Sequence, residues 1–269
     1  MKKFNVFYKN DEQSIRISNK IKNQLREASF EYNEETPDLV ISIGGDGTML
    51  RAIHQYQDIL DEVAFCGVHT GSLGFYTDFL VSEVAQLLEN IINQDFYTVS
   101  FNMLEVNIVE DNNTTTIHAL NEARLENNKH TQVMEILIDD EHFETFRGNG
   151  LNFSTPTGST GYNKSLGGAI LHPKTKAFQV CEIAAINNIA YRTLGSPLIL
   201  NQEKEVKINL RGLDGVVLGY DSYVIDLKNE YPTTNYLTFC LSDKKVTFAR
   251  YKRLAFMDRV KKNFICEDL

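Results

Sequence analysis

The chain has no long hydrophobic run. Apolar residues fill 42% of its 269 positions, a globular share, yet no stretch approaches the roughly 20 consecutive apolar residues of a membrane-spanning helix. The N-terminal MKKFNVFYKNDEQS opens on two lysines but never reaches an apolar core, so no signal peptide is expected. A basic stripe is missing as well: 27 Lys and Arg stand against 36 Asp and Glu, a net charge of −9. That balance argues against a nucleic-acid partner. Cys66, Cys181, Cys240 and Cys266 form no CxxC pair, and the histidines show no ligand spacing. The expectation is reduced thiols in a cytoplasmic protein, without a dedicated protein cluster for a metal. Internal repeats, low-complexity tracts and a Pro/Ser-rich linker are also absent.

Two familiar phosphate motifs are missing too. No Lys-Ser/Thr pair completes a GxxxxGK[ST] loop, and no GxGxxG with a ribose-binding acid follows the first strands. In their place stands LVISIGGDGTMLR at 39–51. Its apolar start, 39–43, reads as a buried parallel strand. Gly44-Gly45-Asp46-Gly47-Thr48 breaks that run, and Met49, Leu50 and Ile53 resume at helical spacing. Glycines let a ligand approach the backbone closely, and a helix start offers unpaired N–H groups and the positive end of its dipole. Asp46 is the one carboxylate, expected at the tip of the turn. This layout suits a phosphate ligand beside a carboxylate, with a plain strand–turn–helix connection as the alternative. Phosphate charge would then fall to backbone amides and a metal ion.

Residues 1–100 alternate strand and helix. A strand at 4–8 is followed by a helix from Asp11, its N-cap, to Ala28, with Ile17, Ile21 and Leu25 on one stripe. A helix from Thr48 to about Gln57, a strand at 63–68 and a helix capped by Ser82, with Val84, Leu87, Leu88, Ile91 and Ile92 inward, complete the set. The spacing predicts parallel βαβ units with ligands outside the carboxyl ends of the strands. The loop from His69 to Tyr76 would share that rim with the glycine turn. From 101 to 255 the pattern turns to period two, with strands at 103–109, 133–138, 197–210, 213–219, 222–228, 236–241 and 245–250. The fold class expected is an α/β N-terminal domain with a parallel sheet plus a β-rich, antiparallel, sandwich-like C-terminal domain. The amphipathic end, 256–269, is expected to pack back on the first domain.

Three further stretches carry polar chemistry. Asn121-Glu122 pairs a carboxamide with a carboxylate, which suits vicinal ribose hydroxyls; a polar hairpin end is the alternative. Thr155-Pro156-Thr157-Gly158-Ser159-Thr160-Gly161-Tyr162-Asn163 crowds four hydroxyls, two glycines and a tyrosine together, with Lys164 and Ser165 next. Hydroxyls and amides there can meet ribose and phosphate, and Tyr162 offers a flat face to a base; a surface loop of turn formers is the alternative. Arg147-Gly148-Asn149-Gly150 offers a cation and amides. Phe75-Tyr76 can stack on a base or form a buried aromatic pair. The loop around Asp221-Ser222-Tyr223 gives no functional reading.

With GGDGT at 44–48, Asn121-Glu122, and TPTGSTGYNKSLGG at 155–168 in that order, the chain resembles the NAD kinases of bacterial, Gram-positive type over nearly its whole length. GGDG alone is shared with diacylglycerol and sphingosine kinases and, in similar form, with 6-phosphofructokinases. Its pairing with the other two motifs is specific to the NAD kinase pattern. The resemblance implies ATP-dependent phosphorylation of the 2′-hydroxyl on the adenosine ribose of NAD. It implies Asp46 as proton acceptor, and Gly44, Gly45, Gly47 and Thr48 around the ATP phosphates. Asp46, Gly47, Asn121 and Glu122 would hold NAD. Thr160, Gly161, Tyr162, Asn163, Lys164 and Ser165 would meet its adenosine part, and Phe75 and Tyr76 its adenine. Arg147, Asn149, Ala184, Ile186 and Tyr191 would reach the dinucleotide near a subunit contact of a homotetramer or homodimer. Mg²⁺ or Mn²⁺ would arrive with ATP. One departure stands out: the family's motif at 147–150 more often carries an acid where this chain has Asn149. Two other readings stay open, a lipid kinase of the same superfamily and a non-catalytic NADP-binding regulator. The first would want a membrane-facing element that the sequence lacks, and the intact Asp46 speaks against the second.

Overall fold

The computed structural model describes residues 1–71, 74–253 and 255–265. Ser72 and Leu73 of the 69–76 loop, and Cys266 with the rest of the expected terminal segment, lie outside the described residues. The chain divides into two compact units, one from Met1 to Ser100 together with the residues from Lys245 onward, the other from Phe101 to Lys244.

The first unit alternates strand and helix: β1 (Lys3–Tyr8), α1 (Glu12–Glu27), β2 (Glu31–Tyr32), β3 (Leu39–Gly44), α2 (Asp46–Gln55), β4 (Ala64–His69), β5 (Phe79–Leu80) and α3 (Val84–Asn93). Strands β2, β1, β3 and β4 pair in that order, all parallel, and Thr247-Phe248 adds a parallel neighbour to β4. Strand β3 is buried along its length, as a strand covered on both faces must be. Asp11 caps α1 by accepting from the Ser14 amide at 2.8 Å. Ile17, Ile21 and Leu25 then fall on one face and pack with Phe4, Leu39 and Ile41 in a core shared with Leu87, Leu88 and Ile91 of α3.

Two expectations in this unit need correction. Helix α2 begins at Asp46, two residues early, because the Gly45 carbonyl already accepts from the Thr48 and Met49 amides at 2.9 and 3.2 Å. Asp46 thus stands in the first helical turn, where a carboxylate also favours the dipole. Ser82 is not a helix cap. Val81–Glu83 forms a 3₁₀ turn whose Glu83 side chain accepts from the Leu80 amide, and the α-helix starts after it. Ile92 then falls on the rim of the stripe and is 43% exposed.

The second unit is antiparallel. Strands β6 (Tyr97–Glu110, entering from the first unit), β7 (Thr114–Ala119), β8 (Glu122–Asn127), β9 (Gln132–Ile138), β10 (Glu141–Gly148) and β11 (Gly150–Ser154) lead into a short helix, α4 (Tyr162–Ser165). After it come β12 (Ala177–Ile183), β13 (Leu198–Asn201), β14 (Glu205–Leu210), β15 (Val216–Tyr220), β16 (Tyr223–Asp226), a one-turn helix α5 (Leu227–Glu230) and β17 (Thr234–Arg250). One sheet runs β13-β12-β11-β8-β15-β16. Opposite it, β9 pairs with β10 and β14, and β14 with Leu237–Cys240 of β17. Phe153 of β11 stacks on Phe239 of β17 with ring centroids 3.7 Å apart, so the two sheets share one sandwich core. The expected strands at 236–241 and 245–250 are a single strand, because Ser242–Lys244 stays extended instead of turning. Past β17 comes α6 (Phe256–Phe264), which belongs to the first unit.

Candidate active site

Each unit carries candidate site residues of its own. In the first, the glycine turn and the loop after His69 leave the carboxyl ends of adjacent parallel strands, since Gly44 of β3 stands in register with His69 of β4. Gly44 has φ +152, and a Cβ on it would press into the Thr48 side chain. Only glycine makes this turn. Thr48 is buried, so its side chain supports the turn from beneath, while Gly47 is exposed.

The Asp46 carboxylate is not left to solvent. One oxygen accepts from the Phe75 amide at 2.8 Å and the other from the Tyr76 amide at 3.1 Å. Gly74 stands so close that a Cβ there would meet the Asp46 carboxylate. Phe75 and Tyr76 therefore reach Asp46 through the main chain. Their rings point elsewhere: Tyr76 is buried against Phe248, nearly parallel at 5.6 Å, and Phe75 stacks on Phe264 at 5.7 Å. Just beyond, Asp78 is 2% exposed and accepts from both Arg250 and Arg259.

In the second unit, the turn between β7 and β8 is fastened from two sides. Asp221, at φ +46, accepts from the Leu120 amide at 2.9 Å and the Asn121 amide at 2.7 Å, and its own N–H donates to the Glu122 carbonyl. From the other side the Thr155 and Thr157 hydroxyls donate to the Leu120 carbonyl at 2.6 and 2.8 Å. A Cβ on Gly158 would fall on the Asn121 carbonyl, so glycine is needed for this approach. Ser159 donates to the Pro156 carbonyl and is fully buried. All four hydroxyls that look ligand-ready in the sequence thus bond main-chain carbonyls, the half-buried Thr160 most loosely, to the Thr157 carbonyl at 3.4 Å.

Glu122 is 7% exposed, and among the described residues its Oε2 meets no hydrogen-bond partner. Burial first, and the Asp221 charge second, push its carboxyl up to about 7, against a partial offset from Arg124. Gly161 lies beside that oxygen. Tyr162 is partly exposed, its hydroxyl donating to Glu126 at 3.3 Å and its ring under the Arg124 guanidinium. Lys164 and Ser165 are exposed on α4, and Thr160 is half-buried. Asn163 turns inward, donating to the Ser159 and Ala169 carbonyls and receiving the Cys181 thiol.

A third group gathers at the end of β10. The Arg147 guanidinium lies 4.1 Å above the Tyr191 ring, and the Arg147 carbonyl accepts from the Ile186 amide. Ala184, at φ +47, makes the bend that brings these residues back. Asn149 pairs its backbone with Ile183 and Asn127, and its side-chain amide donates to the Asn127 carbonyl at 3.3 Å. A carboxylate at that position could not make this last bond.

The sequence reading missed Asp221, Arg250 and Arg259. Asp221 alone carried a signal, an acidic residue in a tight hairpin connection, and nothing local ties it to Asn121. Among the described residues, no group of three or more His, Cys, Asp or Glu is arranged to hold a metal, and no helix is long and apolar enough to cross a membrane.

A glycine turn with a carboxylate at a helix start suits a protein that handles a phosphate-bearing ligand. Comparisons with known proteins narrow the class. Residues 2–96 match the ATP-NAD kinase N-terminal domain, and residues 120–251 the ATP-NAD kinase C-terminal domain. An NAD kinase of Staphylococcus aureus strain JH9 is 40% identical over 269 residues, covering 99% of this chain and 98% of its own. In fold, the chain is similar to a yeast NADH kinase solved with NADH (TM-score 0.81, 18% identity, 97% of this chain and 87% of that one). It is also similar to an Archaeoglobus fulgidus NAD kinase solved with ATP (TM-score 0.70, 20% identity, 93% and 94%). The chain belongs to the NAD kinase family of enzymes.

Proposed function

We propose that this enzyme transfers the γ-phosphoryl group of ATP to the 2′-hydroxyl on the adenosine ribose of NAD, giving NADP. The observation that carries the reading is the intact glycine turn, in a chain similar to NAD kinase throughout, with Asp46 held by two amides at the start of α2. Phosphoryl transfer asks for in-line positioning and charge stabilisation more than for covalent chemistry. The hydroxyl oxygen forms the new bond to phosphorus, its proton passes to the Asp46 carboxylate, and ADP leaves with the bridging oxygen. The turn formed by Gly44, Gly45, Gly47 and Thr48 would line the ATP phosphates, with the unpaired amides at the start of α2 toward them and the Thr48 amide kept by the Gly45 carbonyl.

In the α/β unit Asp46 would meet the reacting ribose hydroxyl of NAD, and in the sandwich unit Asn121, Glu122, Gly161 and Tyr162 form the edge that would contact the dinucleotide. Thr160, Lys164 and Ser165 line the same edge. Asn163 would serve by shaping that edge, given its inward side chain. Arg147, Ile186 and Tyr191 would act together, since they already touch.

A divalent ion fits this donor set. Mg²⁺ or Mn²⁺ takes oxygen ligands and can be carried by the ATP phosphates and water, with no dedicated protein cluster called for. When bound it would neutralise charge on the transferring phosphoryl group. Exposed Ile186, Ile189, Tyr191 and Leu194 on the segment after β12 support burial against another copy, in a homodimer or homotetramer. Free thiols at Cys66, Cys181 and Cys240 suit the cytoplasm.

The test is NADP formation from NAD, ATP and Mg²⁺, read through an NADP-specific dehydrogenase. Asp46→Asn should keep NAD binding and lose at least about two orders of magnitude in turnover. Near wild-type turnover in that variant would remove Asp46 as proton acceptor, and an absence of NADP with wild type would overturn the reaction.

A further inference from the structure

We propose that Arg259, on the C-terminal helix, is a positioning residue for the Asp46 carboxylate, acting through the strap Gly74–Asp78. The proposal rests on the reading of Asp46 as proton acceptor. The strap presents two faces. Its Phe75 and Tyr76 amides hold the two oxygens of Asp46. Its carbonyls are taken by arginines: Arg259 Nη1 donates to Gly74 at 2.6 Å and to Thr77 at 2.7 Å, and Arg250 Nη1 donates to Tyr76 at 2.9 Å. Asp78 closes the network by accepting from both guanidinium groups.

Arg259 is 6% exposed. A buried guanidinium is costly unless its donors are satisfied, and its rigid fork suits several acceptors at once. Here Nη1 bridges the Gly74 and Thr77 carbonyls and Nη2 reaches Asp78, while the residues between Gly74 and Thr77 grip Asp46. Helix α6 adds a second hold, because Phe75 lies against Phe256 and Phe264 of the same helix. Moving Arg259 therefore moves the amides that orient Asp46. A shift of an ångström in such a group can cost about a hundredfold in rate. A plainer role, fastening α6 to the sheet, would leave the carboxylate indifferent to Arg259.

The two roles separate experimentally. In Arg259→Met, hydrogen exchange at the Phe75 and Tyr76 amides should speed up at least tenfold or so, while amides of β3 keep their protection. Turnover should fall about tenfold or more, with KM for NAD and for ATP within about twofold of wild type. In the Asp46→Asn background the same substitution should cost less than about twofold, because the group it positions is gone. Arg259→Lys, which keeps a charge but has one nitrogen for the two carbonyls and Asp78 together, should fall between. It carries the same measurements if the Met variant does not fold. Unchanged exchange at Phe75 and Tyr76 would overturn the proposal, as would an equal loss of turnover with and without the Asp46 carboxylate. If Asp46→Asn alone turned over normally, the proton-acceptor reading would fail, and exchange would still decide whether Arg259 holds the strap.

Discussion

Asp221 donates its main-chain N–H to the carbonyl of Glu122 at 3.0 Å, while its negative charge helps keep the Glu122 carboxyl protonated near neutrality. One residue thus sets both the backbone path and the charge state of its neighbour.

The charge state gives a pH dependence with a definite sign. Glu122 titrates at about 7 in the folded protein against an ordinary 4.5. A raised carboxyl contributes stability that is full below about 4.5 and is lost as pH rises through about 7. Glu122→Gln has no such titration. In the ligand-free protein its stability relative to wild type should therefore improve from pH 5 to pH 8, by at most about 3 kcal/mol. Urea denaturation of both proteins at the two pH values checks this. A constant difference would mean that Glu122 ionises as an ordinary carboxylate.

The backbone role predicts a loss at Asp221 itself. Asp221→Ala leaves the Leu120 and Asn121 amides without their acceptor, which should cost about 1–3 kcal/mol of stability. NAD affinity should fall with it, because the Asn121-Glu122 turn then keeps only the threonine hydroxyls and the main-chain bond from residue 221 to the Glu122 carbonyl. Calorimetric titration with NAD on the still-folded variant would show the loss, and unchanged affinity would separate the turn from the ligand.

Gly158 should tolerate no side chain. Its Cβ would fall on a main-chain carbonyl, that of Asn121, which cannot move aside as a flexible side chain can. Gly158→Ala should destabilise by about 1–3 kcal/mol, whereas Gly167→Ala faces open space and should feel only its left-handed backbone, φ +81. Thermal melts of the two variants test the contrast; equal melting points would mean that the 155–160 turn relaxes freely.

Much of this was legible locally. Period-two and period-3.6 apolar patterns marked the two fold classes, and the glycine turn stood at a strand end as expected. Asp11 was readable as a cap because its partner is three residues away. The register of α2 was not, since the choice between Asp46 and Thr48 as its start depends on which carbonyl accepts first. Thr155, Thr157 and Ser159 looked like ligand hydroxyls because composition cannot tell an inward hydroxyl from an outward one. Arg250 and Arg259, and the partners of Asp221, were invisible for a different reason. Their partners lie far along the chain, and single arginines or aspartates carry no periodicity.

The grip on Asp46 has an evolutionary side. Both donors are peptide N–H groups, so the bonds themselves place no demand on which side chains stand at 75 and 76. The aromatic rings there answer to packing, against Phe248 and the terminal helix. A replacement at either position leaves these two bonds available unless it brings proline, the one residue with no hydrogen to give, while loss of the Phe75 ring would loosen the hold of α6 on the strap.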